Sequence, residues 1–358
     1  MKITPMKINT APKTQHISRE ISMTSTSNKV RGSRIAAAAL LAPALFLSAC
    51  GSPAPSGGGD GGGADSGEGG TLSIATGGTG GVYYPLGGGF ATVIRENVEG
   101  YDATVQETNA SVDNILLLES GAADLALAVG DVVADAVEGV NDFEGKAQEI
   151  CSLGNVYNNF LQPVTVEGTG IQSVEDMKGK VVSVGAPGSA TEVAAIRTLE
   201  AAGLDPEADI DRRQLGVAET VAALRDGTID AGFWSGGLPT GALIDLAADG
   251  DMVIVPIGEY AASMAEEYGE YYVEQEIPAE TYEGQTEPIS VIASPNILVA
   301  PSSMDEQLQE DITTALFENK EQLIQVHPAA EEMDAATAGD VPFVETCPGA
   351  QAYYDQAG

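Results

Sequence analysis

Residues 76–84, with the sequence TGGTGGVYY, form the segment of this chain best suited to binding chemistry. Its four glycines let the backbone turn tightly, so that several N–H groups can approach a ligand without Cβ atoms in the way. A helix that begins near Val82 would add the positive end of its dipole, and Tyr83 and Tyr84 would add flat walls with polar tips. The segment predicts a site for a small carboxylate, and the alternative is an ordinary strand-to-helix turn.

Three further segments follow predicted strands, at the place where open α/β sheets bind ligands. Residues 111–114, SVDN, open one helix, and residues 185–192, GAPGSATE, open another, with Ser189 and Glu192 at capping-box spacing. Residues 233–237, FWSGG, place the chain's one tryptophan beside two glycines. Each segment predicts a wall of a binding cleft. The alternatives are a helix cap for 185–192 and core packing for the tryptophan.

The hydrophobic pattern predicts the elements that hold these loops. Residues 71–138 alternate between strands and helices, and residues 180–257 repeat the alternation, which favours parallel α/β structure. A longer apolar segment at 150–166 separates the two runs. A strand at 289–300, followed by a helix at 303–326 and a short C-terminal helix, looks like a return crossing.

Two crossings between two α/β units would form a hinge and leave a cleft that can close. We therefore predict two lobes. Lobe one consists of residues 71–160 together with residues 290–358, and lobe two consists of residues 161–289. The loops singled out above would then face each other across the cleft.

The first 49 residues predict an export signal. Basic residues between positions 29 and 34 precede an apolar run at 35–47, which is too short for a spanning helix and ends in Leu-Ser-Ala-Cys50. This ending resembles the lipobox of bacterial lipoproteins, which implies a lipid on Cys50 and attachment to the outer face of the cell membrane. Residues 50–70, rich in Gly, Ser and Asp, predict a flexible tether that spans about 25 Å. The alternative is an accidental cysteine after a signal peptide.

The charge balance narrows the choice of partners. The chain has 53 acidic and 16 basic residues, a formal net charge of −37. Nucleic acid and anionic membrane surfaces are therefore poor partners. Acidic residues spread along the chain are similar to those of proteins adapted to high salt, where screening shortens to about 3 Å. A generally acidic secreted protein is an equal alternative.

The cysteine and histidine counts limit which disulfides, metal sites and catalytic sites the chain could form. If Cys50 carries lipid, Cys151 and Cys347 remain as an even pair in an oxidising compartment, and we predict a disulfide between them. Beyond the leader the sequence has one histidine, His327, which leaves no His-rich metal site and no Ser-His-Asp arrangement. We expect no metal, no cofactor and no catalysis.

Five motifs in order resemble the TAXI-type solute-binding receptors of the tripartite ATP-independent periplasmic (TRAP) transporters, over residues 71–358. The resemblance implies a type II periplasmic-binding-protein fold, with two α/β lobes joined by hinge crossings around a ligand cleft. It also implies capture of a small organic acid or amino acid, anionic or zwitterionic, such as a glutamate-like ligand or a dicarboxylate. A membrane permease driven by an ion gradient would receive that ligand. The motifs are residues 76–85, 111–114, 184–192, 229–234 and 277–282.

The resemblance implies ligand contacts from both lobes. At the first crossing the family usually has a Tyr-Pro-Glu-like motif, where this chain has residues 156–162, VYNNFLQ. Asn158, Asn159 or Gln162 could therefore form hydrogen bonds with an amide or hydroxyl group of the ligand. The motifs contain no arginine, and Arg95 and Arg197 are more simply surface or structural residues. Backbone amides and hydroxyls would then hold a carboxylate. The implied contacts are Gly77, Thr79, Gly80, Tyr83, Tyr84, Ser111 and Asn114 in lobe one and Pro187, Gly188, Ser189, Thr191, Glu192, Trp234 and Ser235 in lobe two.

Two other classes of protein stay open. A lipoprotein receptor of an ATP-driven importer shares the fold and the anchor. A neighbouring gene for an ATPase, rather than for a large multi-spanning permease, would identify it. An enzyme on a related two-lobed fold is the third class, although the chain lacks the Walker pattern G-x-x-x-x-G-K-[ST]. Turnover of a bound solute would identify that class.

Overall fold

The computed structural model describes residues 69–357. The predicted signal peptide, the predicted lipidation site Cys50 and the predicted tether as far as residue 68 lie outside the described residues. Within 69–357, no helix combines the length and the apolar character that crossing a membrane requires.

Strands and helices alternate along both halves of the described chain. The first elements are β1 (Thr71–Ala75), α1 (Tyr83–Asn97), β2 (Asp102–Gln106), α2 (Ser111–Glu119), β3 (Leu125–Val129), α3 (Gly130–Glu138) and β4 (Ile150–Val166). The next are β5 (Val181–Ser183), α4 (Ala190–Ala201), β6 (Asp211–Arg213), α5 (Val217–Arg225), β7 (Ala231–Gly236), α6 (Gly241–Ala247) and β8 (Met252–Ile254). The last are α7 (Ala261–Glu267), β9 (Val273–Ile277), β10 (Ile289–Pro301), α8 (Glu306–Glu318), α9 (Lys320–Val326) and α10 (Pro348–Ala357).

The strands of the described residues form one continuous sheet in the order β2-β1-β3-β10-β4-β7-β5-β6, with β8 beside β4 and β9 beside β10. β1 runs parallel to β2 and β3, and β5 runs parallel to β6 and β7. Between these two parallel groups lie the long strands β4 and β10, which pair antiparallel with each other. They are the two crossings that the apolar segments at 150–166 and 289–300 predicted.

Two hydrophobic cores lie along this sheet. On β4, the residues up to Tyr157 pack in the first core and the residues from Phe160 in the second. On β10, Ala293 belongs to the second core and Ile297 to the first. Each crossing strand therefore changes core near its middle, which is where a rotation between the lobes can be absorbed. The exact lobe boundaries given above stay predictions.

Helix termini show where local sequence signals decide the fold. At the start of α4, Ser189 Oγ accepts from the Glu192 N–H at 3.2 Å, and Glu192 Oε2 accepts from the Gly188 N–H at 2.9 Å. The first bond is the N-cap bond that their spacing indicated, and the second reaches Gly188, one residue before the N-cap Ser189. The single helix predicted at 303–326 is wrong, because Asn319 leaves helical geometry (φ −106°, ψ 26°) and separates α8 from α9.

The C-terminal segment is fastened to the first crossing strand. Cys151 of β4 and Cys347, just before α10, are joined by a disulfide, and both are buried. The Cys347 N–H also donates to the Ser152 carbonyl at 2.9 Å, and the Ser152 N–H donates to the Glu345 carbonyl at 2.8 Å. The chain therefore ends against lobe one, as the predicted return crossing requires.

His327 gives a testable pH dependence. Its Nδ1 accepts from the Ala329 N–H at 3.1 Å at the start of the short 3₁₀ helix Pro328–Glu332, and burial lowers the pKa of His327. Because the folded pKa lies below the unfolded value of about 6.5, the unfolded chain binds more protons as the pH falls, and the free energy of unfolding decreases. The variant His327→Asn can still accept from Ala329 but does not titrate.

We therefore expect wild type to lose stability relative to His327→Asn as the pH falls from about 7.5 to about 5.5. Urea unfolding of both proteins at the two pH values measures the difference. Since the carboxylates titrate in both proteins, they cancel in this comparison. An unchanged stability difference would contradict the role assigned to His327.

Candidate ligand-binding cleft

A cleft of about 970 Å³ opens between the two lobes, within the range of roughly 300–1,000 Å³ that is common for small-molecule sites. Its walls are the loops that follow the parallel strands of both groups, and its floor comes from β4. Carboxyl ends of parallel strands are where open α/β sheets bind ligands. The main lining residues are Gly77, Gly78, 81–83, 106–111, Asp113, Val129, Tyr157, Asn159, Ala186, Pro187, 189–191, 214–217, Glu219 and 234–236.

The glycine-rich loop after β1 forms one wall and touches the opposite lobe. A Cβ atom at Gly81 would lie 2.9 Å from Cη2 and Cζ2 of Trp234, so only glycine lets the indole ring rest on this loop. Trp234 Nε1 donates to Thr240 Oγ1 at 2.9 Å, which fixes the orientation of the ring. Trp234 is therefore both a wall of the cleft and a contact between the lobes.

A buried polar network lies at the base of the cleft. Tyr83 Oη donates to Asn296 Oδ1 at 2.7 Å, and Asn159 Nδ2 donates to Tyr83 Oη at 3.4 Å. Burial raises the pKa of Tyr83, so its hydroxyl stays protonated. Three buried atoms of this region have no partner among the described residues: Tyr157 Oη, Asn159 Oδ1 and Asn296 Nδ2.

Such unpaired groups are costly, at about 1–3 kcal/mol each, and native structures rarely leave them so. Tyr157 and Asn159 also line the cleft. Both side chains therefore form part of the floor, and their unpaired oxygen atoms lie beneath its surface. Tyr157 and Asn296 were not singled out from the sequence, although an asparagine inside the apolar run of β10 was a usable signal.

The charges of the lining are all negative. Glu107, Asp113 and Glu219 line the cleft, and the lining residues include no lysine, arginine or histidine. Arg95 is exposed and lies 3.9 Å from Asp102, and Arg197 is buried against Asp135. The two arginines are thus the surface and structural residues that their positions in helices indicated.

Eight of the predicted contact residues line the cleft. They come from both lobes and from the β1–α1, β2–α2, β5–α4 and β7 loops, so the fold does bring these motifs together. The eight are Gly77, Tyr83, Ser111, Pro187, Ser189, Thr191, Trp234 and Ser235.

Three of the predicted contact residues of lobe one lie outside the lining of the cleft. Thr79 and Gly80 lie in a separate outer groove. Tyr84 is the next residue along α1 after Tyr83 and does not share its position on the cleft wall.

Asn114 is the fourth predicted residue of lobe one that does not line the cleft. It is buried behind the glycine-rich loop, where its Nδ2 donates to the carbonyls of Thr76 at 2.6 Å and Leu127 at 2.8 Å. Its amide nitrogen is therefore bound to backbone carbonyls and positions the loop.

Three predicted residues of lobe two also lie outside the lining of the cleft. Gln162 is buried below the floor, and its Oε1 accepts from Tyr282 Oη at 2.8 Å. The Glu192 carboxylate is occupied by the Gly188 N–H and by Arg212. The Gly188 N–H takes part in this cap, and the Gly188 carbonyl contacts lobe one. Gly188 itself does not line the cleft.

The described residues adopt the two-lobed, mixed α/β periplasmic-binding-protein fold, as predicted. The chain belongs to the NMT1-like family, whose profile matches residues 74–358. Among solved structures it is similar to a protein of Bordetella bronchiseptica RB50, with 18% identity, a TM-score of 0.50, and 79% of this chain and 82% of that chain covered.

Two further solved structures are similar to the chain with lower TM-scores. One is the periplasmic aliphatic sulphonate binding protein SsuA from Escherichia coli, with 16% identity, a TM-score of 0.43, and coverage of 80% of this chain and 82% of that chain. The other is an ABC uptake transporter substrate binding protein from Streptococcus pneumoniae with bound histidine, with 16% identity, a TM-score of 0.45, and coverage of 71% and 91%. Identity this low speaks for the fold alone.

Proposed function

We propose that this protein is an extracytoplasmic receptor that binds a small organic acid or amino acid in the cleft between its lobes and releases it unchanged to a membrane transporter. The observation that carries the proposal is a cleft of about 970 Å³ whose walls come from loops of both lobes. A small solute inside it would touch both lobes at once. The cleft also lacks the histidine that most acid–base or nucleophilic catalysis uses.

Direct contacts between the lobes support a closing mechanism. The Gly188 carbonyl of lobe two accepts from the Val112 N–H of lobe one at 3.1 Å, and the Gly80 carbonyl of lobe one accepts from the Ala242 N–H of lobe two at 3.2 Å. Both contacts flank the cleft and use backbone groups. A ligand that bridges the walls would therefore shift the population towards this closed arrangement.

Backbone and hydroxyl groups would hold a carboxylate of the ligand. Helix α4 begins at Ala190, which lines the cleft together with Thr191, and the first N–H groups of a helix favour an anion. Ser111 stands on the opposite wall, at the start of α2. The glutamate-like ligands and dicarboxylates implied by the resemblance to the TAXI receptors are the first solutes to test.

We further propose that a lipid on Cys50 holds the receptor at the outer face of the cell membrane, and that a TRAP-type permease driven by an ion gradient receives the solute. The fold is equally compatible with an ATP-driven importer. The two are separated by the neighbouring genes and by whether uptake in cells follows an ion gradient or requires an ATPase.

Thermal unfolding of residues 69–358 tests solute binding. The protein is heated with a panel of amino acids, keto acids and dicarboxylates, in low and in molar salt. A ligand that binds only the folded state at about 100 times its Kd adds roughly 2.7 kcal/mol to the stability. A selective rise in Tm is the expected result. If the folded protein shows no shift with any solute in either salt, the proposed ligand class is wrong.

Gly81 offers a test of closure. A valine at this position would push against the ring of Trp234, which already lies 2.9 Å from the site of a Cβ atom. Overpacking of this kind costs about 1–3 kcal/mol, so Gly81→Val is expected to weaken solute binding by about tenfold or more. Gly88→Val is the matched control, because a Cβ atom at Gly88 would meet nothing within 4 Å and Gly88 does not line the cleft. Calorimetric titration measures both, and equal affinities would contradict the contact's role in closure.

A further inference from the structure

We infer that the cleft takes a solute with one carboxylate and an extended apolar body, such as a medium-chain 2-amino, 2-oxo or simple carboxylic acid. Short dicarboxylates are then poor ligands. The inference rests on the proposed function and narrows its ligand class.

The first observation is the size of the cleft in an arrangement that is already closed. The lobes touch where the Val112 N–H donates to the Gly188 carbonyl at 3.1 Å. They touch again where the Ala242 N–H donates to the Gly80 carbonyl at 3.2 Å. Backbones at hydrogen-bonding distance leave little room for further closure, and the volume of the cleft is still about 970 Å³.

A short dicarboxylate or glutamate is small for this space. L-Glutamate has about ten non-hydrogen atoms, and even at the roughly 30 Å³ that a water molecule takes up in the liquid, it would fill only about a third of the cleft. A longer solute would fill more of the volume and would replace more of the water inside it.

The second observation is apolar surface inside the cleft. Leu116 and Leu117 of α2 line the cleft, and Leu116 is 41% exposed, which is unusual for a large apolar side chain of the described residues. From lobe two, Leu215 in the loop between β6 and α5 and Trp234 of β7 line the cleft and are only partly buried. Exposed apolar surface in a groove is typical of ligand-binding sites, because a ligand that covers it removes it from water.

The third observation is the charge of the lining, which disfavours a second carboxylate. Glu107, Asp113 and Glu219 line the cleft, and no lysine, arginine or histidine does. One carboxylate can lie at the start of α4, where the first N–H groups of a helix favour an anion. A second carboxylate at the far end of the solute would leave water with no basic side chain to pair with, which is unfavourable. An apolar end would instead cover the exposed leucine.

Calorimetric titration of the folded domain tests the inference with pairs of equal chain length: L-norleucine against L-2-aminoadipate, 2-oxohexanoate against 2-oxoadipate, and hexanoate against adipate. We expect at least one solute with a terminal methyl group to bind about tenfold or more tightly than its dicarboxylate partner. Within the head-group class that binds, each further buried CH₂ group should raise the affinity about threefold to fourfold.

Two results would overturn the inference and leave the receptor function standing: dicarboxylates that bind as tightly as their partners or more tightly, and an affinity that does not rise with chain length. If no member of any pair binds, the inference falls as well. The proposed function falls with it only if the thermal unfolding panel shows no ligand either.

Leu116→Asn supplies a second readout. Because Leu116 is exposed, the fold should tolerate the change. The variant removes apolar surface from the cleft, so we expect the preference for a terminal methyl group over a terminal carboxylate to shrink about threefold or more. Ile244→Asn is the matched control, since Ile244 of α6 is 45% exposed and does not line the cleft. If Leu116→Asn leaves the ratio of the two affinities unchanged, the inference is overturned.

Discussion

Replacing Arg197 by methionine is expected to lower the free energy of unfolding by about 3–5 kcal/mol, because it leaves buried carboxylates without their cation. Arg197 of α4 is 6% exposed. Its Nη2 donates to Asp135 Oδ2 at 2.6 Å and its Nη1 donates to Tyr272 Oη at 3.1 Å. The Tyr272 hydroxyl in turn donates to Asp131 Oδ2 at 2.6 Å.

This network joins the lobes, since Asp131 and Asp135 belong to α3 of lobe one and Arg197 to α4 of lobe two. Burial raises the pKa of Asp131, and the charge of Arg197 opposes that shift. The guanidinium also lies 4.7 Å from the ring centre of Tyr268. The Arg197→Met variant therefore loses this cation–π contact as well as the positive charge.

Arg213→Met is the matched control. Arg213 is exposed and pairs with Asp211 at the surface, where ion pairs contribute little, so we expect no clear loss of stability. Urea unfolding of both variants in molar salt, where repulsion among the many surface carboxylates is screened, gives the comparison. Similar losses for both variants would contradict the structural role assigned to Arg197.

Removal of the disulfide is the second large expected effect. Cys151 and Cys347 are 196 residues apart in sequence, and the double variant with alanine at both positions is expected to lose about 2–5 kcal/mol of stability. In the chain-entropy view, a bridge across so long a loop strongly restricts the unfolded chain. The free C-terminal segment would then detach more easily from β4.

A reductant provides the internal control. Dithiothreitol should destabilise wild type to about the level of the double variant and leave the double variant unchanged. Equilibrium unfolding with and without the reductant measures both. If the double variant is as stable as oxidised wild type, the bridge does not stabilise the fold as argued.

Much of the fold follows from local patterns. The apolar run at 150–166 coincides with β4, and the run at 289–300 with all but the last residue of β10. Their lengths exceed those of ordinary strands, which is why two crossings could be predicted. The break at Asn319 could not be predicted from the sequence. Residues on both sides continue a helical pattern, and only the backbone geometry separates α8 from α9.

The site was partly predictable for the same reason. Glycine-rich loops after strands are local signals, and they place Gly77 and Trp234 on the cleft. The floor depends instead on register, since Asn296 of β10 meets Tyr157 only through the antiparallel pairing of two distant strands. Likewise, the partner that occupies Glu192 is Arg212 of β6, which motif spacing does not specify.

Trp234 allows the most direct test of the central claim that a solute binds between the lobes. It is the chain's one tryptophan, it lines the cleft, and it rests on Gly81 of the opposite lobe. Titration of the folded domain with a stabilising solute should therefore change the tryptophan emission saturably, with the Kd that calorimetry gives. A solute that stabilises the protein but leaves the emission of Trp234 unchanged would contradict binding in this cleft.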